Sequence, residues 1–162
     1  MTKRITSQSL RESSTADPVW LDLEALAQVE VTSEDAAHPV ESALLPSASA
    51  GWRAENPGEQ TLRVLFESPQ SLRRIRLVFR EENEARTQEF VLRWSPIVHG
   101  PSREILRQQY HFSPSGATEE IEDYRVELED VVALVEVTIV PNISGDDAYA
   151  SLAELRLAGN GE

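Results

Sequence analysis

One aromatic side chain stands out as a candidate ligand contact. Tyr149 follows the adjacent carboxylates Asp146 and Asp147 in a polar stretch, where no large apolar residue adjoins it in the sequence to pack against the ring. A phenol can stack on a flat ligand and can also hydrogen-bond through its hydroxyl. The two aspartates could contact calcium, but that ion takes about six or more oxygen ligands, and an adjacent acidic pair in a loop is usually only solvated.

A ladder of arginines is the second candidate, because guanidinium groups match carboxylate and phosphate ligands. The ladder consists of Arg73, Arg74, Arg76 and Arg80. In a chain with 28 acidic and 15 basic residues, cross-strand ion pairs are the simpler expectation. The glutamates expected to form them include Glu127, Glu129 and Glu136. Arg80 is the exception, because it lies at the end of its segment, near Asn83.

The sequence contains no recognisable catalytic constellation. It has no Gly-x-Ser-x-Gly motif and no phosphate-binding loop, and its glutamates fall on the solvent faces of alternating segments. His38, His99 and His111 do not have the spacing of a zinc motif, so we interpret them as surface or loop residues. We therefore predict that the chain is not an enzyme and has no metal and no cofactor.

The charge balance argues against a nucleic-acid partner. The formal net charge is −13, whereas binding to a phosphate backbone requires clustered positive charge. Cysteine is absent, which is usual in a reducing compartment, and we expect a cytoplasmic location. The N-terminal stretch lacks the apolar core of a secretory signal and no later apolar run could span a bilayer, so we expect no membrane association.

Short alternating strands must position these residues. Segments 62–66 and 75–79 each place apolar side chains on one face and charged side chains on the other, around a Ser-Pro turn. Similar alternation recurs at 27–31, 90–94, 106–112, 124–128, 135–139 and 153–157. About eight strands without a long helix predict an all-β antiparallel jelly-roll sandwich. The three tryptophans, Trp20, Trp52 and Trp94, are expected in its core.

The domain organisation is simple. Residues 1–17 are rich in Ser, Thr, Arg and Gln and cannot offset their ordering entropy by burial, so we predict a flexible N-terminal arm. Residues 18–162 are predicted to form a single sandwich domain. Within it, residues 33–50 are expected to be a long loop that contacts the core through Ala43, Leu44 and Leu45.

The order of these features resembles the discoidin (coagulation-factor type C) family, which has the galactose-binding-like fold, an eight-stranded jelly-roll sandwich. The segments that carry the likeness are VEVTSE at 29–34, AGWR at 50–53, RIRLVF at 74–79, EFVLRWS at 89–95 and AELRL at 153–157. Together they cover roughly residues 28 to 158. Family members mostly bind glycans or lipid head groups through loops at one end of the sandwich, without turning them over.

The resemblance implies a binding site built from four residues. They are Arg53, Arg80, Asn83 and Tyr149. We add Glu34 for a geometric reason. Arg80 follows one strand, whereas Arg53 and Glu34 lie in the connections before the neighbouring strand, and an antiparallel arrangement can bring these strand ends together. Many members also hold a structural calcium, for which this chain has only Glu154 and lacks the acidic, glycine-rich segment before Trp52.

Two functions remain open from the sequence. The prediction is a non-catalytic carbohydrate-binding module, and the alternative is a protein–protein interaction or assembly module with a protein partner or a homo-oligomeric state. A glycan site should be a small polar concavity with one exposed aromatic ring. A protein interface should exceed roughly 1,000 Å² and include a larger apolar patch.

Overall fold

The computed structural model describes residues 19–46 and 50–159, which form ten strands and two short helices. The predicted arm at residues 1–17 lies outside the described residues. The strands are β1 (Ala27–Val31), β2 (Trp52–Arg53), β3 (Gln60–Gln70), β4 (Arg74–Arg80), β5 (Arg86–Ser95), β6 (Arg103–Phe112), β7 (Glu119–Arg125), β8 (Val132–Val140), β9 (Ser151–Leu152) and β10 (Glu154–Ala158). The helices are α1 (Leu23–Leu26) and α2 (Glu41–Leu44).

The strands pair antiparallel in two main sheets. The larger sheet has the order β1-β3-β8-β5-β6, and the smaller has the order β10-β4-β7. Strands β2 and β9 form a separate two-residue ladder. Eight strands of five or more residues confirm the predicted all-β antiparallel sandwich. None of the helices in the described part of the chain has the length and apolar character to cross a membrane.

The hydrophobic core lies between the two sheets. Phe79 on β4 and Phe90 on β5 approach across this space with ring centroids 5.2 Å apart, and Tyr110 on β6 lies 5.8 Å from Phe79. Thirteen of the apolar positions predicted to face inward are buried, namely Leu62, Val64, Phe66, Ile75, Leu77, Phe79, Phe90, Leu92, Val126, Val137, Ile139, Leu155 and Leu157. Leu128 is half-buried against the cluster, as are Ala27, Val29, Val31, Leu106 and Tyr110 of the alternating segments. Trp52 and Trp94 are buried as predicted, whereas Trp20 is half-buried.

The strand predicted at 124–128 is wrong in its position. Strand β7 begins at Glu119 and ends at Arg125, so Val126 and Leu128 follow it. Pairing with β4 places Glu120, Glu122 and Tyr124 opposite the inward-facing Phe79, Leu77 and Ile75. Because β7 is an edge strand with polar residues on its inner face, its hydrophobic alternation is too weak to locate it.

Three arginines of the ladder form ion pairs, but with partners other than the predicted ones, and they include Arg80, which was expected to be the exception. Arg74 and Arg76 lie near Asp123, Arg76 also faces Glu154, and Arg80 binds Glu119. Of the predicted partners, Glu136 binds Arg63 and Glu129 binds Arg103. The reason is topological, because β4 lies between β7 and β10, whereas Glu136 belongs to β8 in the other sheet.

Candidate functional site

A depression of about 170 Å³ lies where the β2–β9 ladder meets the end of β4. Two arginines, one histidine and one serine form its polar lining. Its lining residues are His38, Ala50, Gly51, Trp52, Arg53, Arg80, Ser151, Leu152 and Ala153. None of them is acidic, although the chain has a net charge of −13. The depression therefore presents hydrogen-bond donors on a strongly acidic protein.

The apolar lining of the depression depends on Gly51 and Trp52. Gly51 has a φ of +76°, and a Cβ atom there would lie 3.0 Å from both the Ala153 Cα and the Leu152 carbonyl oxygen. Glycine satisfies the positive φ and the close approach together. Trp52 is buried, and its indole N–H donates to the Ser33 carbonyl at 3.0 Å. The tryptophan therefore acts as a core anchor, as the sequence predicts.

Arg53 and Tyr149 meet at one side of the depression. The Arg53 guanidinium lies over the Tyr149 ring, 5.2 Å from its centroid, which is within cation–π range. The flanking residues Ala148 and Ala150 are buried, and their carbonyls accept hydrogen bonds from Gly58 and Ala54. The alternation of buried and exposed residues turns the Tyr149 ring outward, where it is 37% exposed.

Arg80 reaches the depression from the end of β4. Its side chain is half exposed and donates to Glu119 at 2.8 Å across the β4–β7 pair. Exposed ion pairs of this kind contribute only about 0–1 kcal/mol, so the guanidinium can exchange or share its partner with a ligand at little cost. Of the five predicted site residues, the structure brings Arg53, Arg80 and Tyr149 to the depression or its margin.

His38 is a lining residue that the sequence analysis interpreted as an ordinary loop histidine. Its Nδ1 lies 2.9 Å from the Asp35 carboxylate. The hydrogen bond with His38 is the largest of the effects that hold the pKa of Asp35 below its usual value, and the backbone N–H of Ala37 adds to it. A carboxylate can only accept, so the proton shared with Asp35 is carried by Nδ1, and in this tautomer Nε2 is an acceptor. The three-residue spacing of Asp35 and His38 is the signal that could have revealed this pair.

The other two predicted site residues do not line the depression. The Glu34 carboxylate accepts the backbone N–H of Val40 at 2.9 Å and so stabilises the turn that carries His38. Asn83 is exposed in the loop after β4, where its backbone N–H donates to Glu81. A sugar contact by either side chain stays a prediction.

The surroundings of Glu154 do not fit the structural calcium that the family resemblance implies. The Glu154 carboxylate lies 3.5 Å from the Arg76 guanidinium and 3.9 Å from that of Arg156. Calcium needs several oxygen ligands and is repelled by neighbouring cations. Within the described residues, no group of three or more His, Cys, Asp or Glu side chains could hold a metal.

No protein-family model matches the sequence, and no curated protein sequence matches it either. The fold does match solved structures. The family 32 carbohydrate-binding module of Clostridium perfringens NanJ, in complex with galactose, has 15% identity and a TM-score of 0.64 over 85% of this chain and 96% of that one. The family 32 module of AlyQ, in complex with 4,5-unsaturated mannuronic acid, has 16% identity and a TM-score of 0.62, covering 86% and 97% of the two chains.

A Ruminococcus gnavus family 29 fucosidase in complex with fucose also matches, with 10% identity and a TM-score of 0.64. The match covers 85% of this chain but only 26% of the fucosidase, so the same fold occurs as part of a longer enzyme chain. Together these structures show that the chain has the discoidin-like, galactose-binding fold of family 32 carbohydrate-binding modules, as the sequence resemblance implies.

Proposed function

We propose that the chain is a non-catalytic carbohydrate-binding module whose glycan site is the depression between His38, Arg53, Arg80 and Tyr149. The observation that carries the proposal is the combination of groups at this one place. Two guanidinium groups can donate hydrogen bonds to a ligand, the His38 Nε2 can accept one, and Tyr149 presents an exposed ring. Sugar hydroxyls both donate and accept, so such a site can recognise them in a defined orientation.

The size of the depression favours a single sugar residue. Its volume of about 170 Å³ is below the roughly 300–1,000 Å³ of pockets for drug-sized ligands. A monosaccharide has about twelve non-hydrogen atoms, and about −0.3 kcal/mol per atom gives a binding free energy near −3.6 kcal/mol. The expected Kd for one sugar is therefore about 2 mM.

The fold that the chain shares with sugar-bound modules also supports this proposal. The NanJ module binds galactose and the AlyQ module binds an unsaturated mannuronic acid, and both are non-catalytic modules. The lack of enzymatic activity in this chain is part of the proposal. The carboxyl group of Glu120 has a pKa raised to about 7, but neither Glu120 nor its neighbour Glu122 lines the depression.

The alternative function, a protein–protein interaction or assembly module, stays a prediction, and so does the cytoplasmic location. Two large apolar side chains, Ile97 and Val131, are exposed near the ends of β5 and β8 that lie away from the depression. Single exposed apolar residues are common on protein surfaces and do not identify a partner. Light scattering tests for self-association, and cell fractionation tests the location.

The proposal predicts that sugar binding depends on the residues of the depression. Arg80→Ala and His38→Ala should each raise the Kd of the bound monosaccharide at least about tenfold, because each removes a charge-assisted or ring-nitrogen hydrogen bond. Tyr149→Ala should weaken it by a factor of about 3–10 through the lost ring contact. Calorimetric or NMR titration with galactose, fucose, mannose and galacturonate measures these changes.

Arg103→Ala is the matched control. Arg103 is 53% exposed and donates to Glu129 at 2.8 Å, much as the 50% exposed Arg80 donates to Glu119, but it begins β6 away from the depression. We expect this variant to bind like the wild type. Equal losses in Arg80→Ala and Arg103→Ala, or no binding of any sugar in the panel at tens of millimolar, would contradict the proposal.

A further inference from the structure

A largely buried guanidinium connects the closing strand to the segment that carries His38. The Arg156 side chain on β10 is 11% exposed. Its Nη1 donates to the carbonyl oxygens of Ala43 and Leu155, each at 2.9 Å, and its Nη2 donates to the Leu45 carbonyl at 3.3 Å. Ala43 belongs to α2 and Leu45 is its C-cap residue, so Arg156 satisfies carbonyls at a helix end that lack helical partners.

The cross-link extends from α2 to the wall of the depression through continuous, described chain. Two residues, Pro39 and Val40, separate His38 from helix α2. The Val40 N–H donates a hydrogen bond to the Glu34 carboxylate. The His38 carbonyl accepts the Arg53 N–H at 3.1 Å, and the Arg53 carbonyl accepts the Asp35 N–H at 2.8 Å. The position of α2 therefore fixes two polar residues of the depression.

The atoms around the Arg156 guanidinium are those that a hard metal ion prefers. They are three backbone carbonyl oxygens and, at 3.9 Å, the Glu154 carboxylate. The guanidinium already occupies the centre of this set and donates in several directions, and Arg76 adds a second positive charge beside Glu154. An added divalent cation would face both guanidinium groups.

We propose that the Arg156 guanidinium occupies the place of a metal ion among these oxygens. It positions the His38–Arg53 wall of the depression without a divalent metal. Arg156 does not line the depression, so it is a positioning residue and does not contact the ligand. Its effect on sugar binding rests on the proposed function. Its effect on the wall itself does not, because the conformation of the wall can be measured without sugar.

The first test is addition and removal of calcium. The melting temperature of the wild type should stay within about 1 °C in EDTA and in about 10 mM calcium. A built calcium site with a Kd near 1 mM would raise it by about 3–5 °C at this concentration. A rise of that size in the wild type would overturn the proposal.

The second test replaces the guanidinium. Arg156→Gln should lower the melting temperature by roughly 5–10 °C, because several charge-assisted hydrogen bonds are lost and carbonyls are left without partners. In sugar-free protein, the backbone amide resonances of His38 and Arg53 should shift and their hydrogen exchange should become faster. Arg156→Lys keeps the positive charge but lacks the planar guanidinium, so its effects on the melting temperature and on these amides should be intermediate. This variant provides the test if Arg156→Gln does not fold.

Arg63→Gln is the control, because Arg63 is also paired, with Glu30 and Glu136, but on the other sheet and without a loop carbonyl. It should leave the amides of His38 and Arg53 unchanged. If Arg156→Lys, or a folded Arg156→Gln, also leaves them unchanged, Arg156 does not position the wall. If the amides shift but the wild type binds no sugar, the positioning role stands and the proposed glycan function fails.

Discussion

The polar residues of the depression have complementary hydrogen-bonding roles. Arg53 and Arg80 can only donate, whereas His38, with its Nδ1 proton committed to Asp35, offers an acceptor at Nε2. Each role depends on an interaction behind the side chain: Tyr149 under Arg53, Glu119 beside Arg80 and Asp35 beside His38. The proposed site is therefore partly organised in the absence of a ligand, which would reduce the ordering entropy that sugar binding must overcome.

At the residue scale, Gly51 provides a direct test of how the apolar lining is built. Gly51→Ala should lower the free energy of unfolding by about 2–4 kcal/mol, because the new methyl group meets backbone at 3.0 Å and the positive φ is unfavourable. Gly145→Ala is the matched control. Gly145 has a φ of +83° but open space around the position of a Cβ atom, so only about 1 kcal/mol should be lost.

Urea denaturation of the two variants measures this difference. Equal losses of stability would show that the contact of Gly51 with Ala153 and Leu152 does not matter. Arg80 and Tyr149 could be selected from the sequence, because a polar side chain at a strand end and an aromatic side chain in a polar loop are recognisable, and Arg53 followed from the resemblance to the discoidin family. His38 has only a weak sequence signal, its three-residue spacing from Asp35, because its importance depends on a hydrogen bond within a loop whose path the sequence does not reveal.

At the scale of elements, the site depends on the shortest strands in the described chain. Strands β2 and β9 have two residues each, and they pair Trp52 with Leu152 and Arg53 with Ser151. Alternation needs about four or more residues to be recognised, so the sequence analysis could identify the long strands but not this ladder. The β7 strand was misplaced for a related reason, since its inner face carries carboxyl groups instead of apolar side chains.

Those inward-facing carboxyl groups make β7 sensitive to pH. A hydrogen bond with Glu122, partial burial and the charge of Glu122 together raise the pKa of Glu120 to about 7. The Tyr124 hydroxyl also binds Glu122, and burial beside these carboxylates raises the pKa of Tyr110 on the facing strand. The folded protein therefore retains a proton that the unfolded chain releases near pH 4.5.

Stability from this group should be complete below about pH 4.5 and should be lost as the pH rises through about 7, because the folded-state pKa is the higher one. After discounting for solvent screening, the loss should be about 1–2 kcal/mol. Glu120→Gln mimics the protonated carboxyl and should flatten the decline in unfolding free energy between pH 5 and pH 8.

Glu67→Gln, at an exposed position of β3, should keep the wild-type decline. Urea denaturation across this pH range measures both variants. A wild type that is equally stable at both ends of the range, or a Glu120→Gln variant that declines like the wild type, would contradict the assignment.

At the scale of the whole molecule, the Arg53 and Arg80 guanidinium groups of this acidic protein lie together at one end of the sandwich. The β2–β9 ladder lies at one end of the sandwich. The same end contains the last residues of β1, β4 and β8 and the first residues of β3, β5 and β7. The fold could be predicted from the alternation of the longer strands. The depression could be predicted only in part, because it forms where short segments from distant parts of the chain meet.

The most direct test of the account is an NMR titration of the wild-type protein with the monosaccharide panel, following all backbone amides. We expect at least one sugar to shift the amides of Gly51, Arg53, Arg80, Tyr149 and Ser151 with a common Kd of about 2 mM, while the amides of Ile97 and Val131 stay unshifted. Shifts centred on Ile97 and Val131, or no shifts at the depression with any sugar, would contradict the assignment of this end of the sandwich as a glycan site.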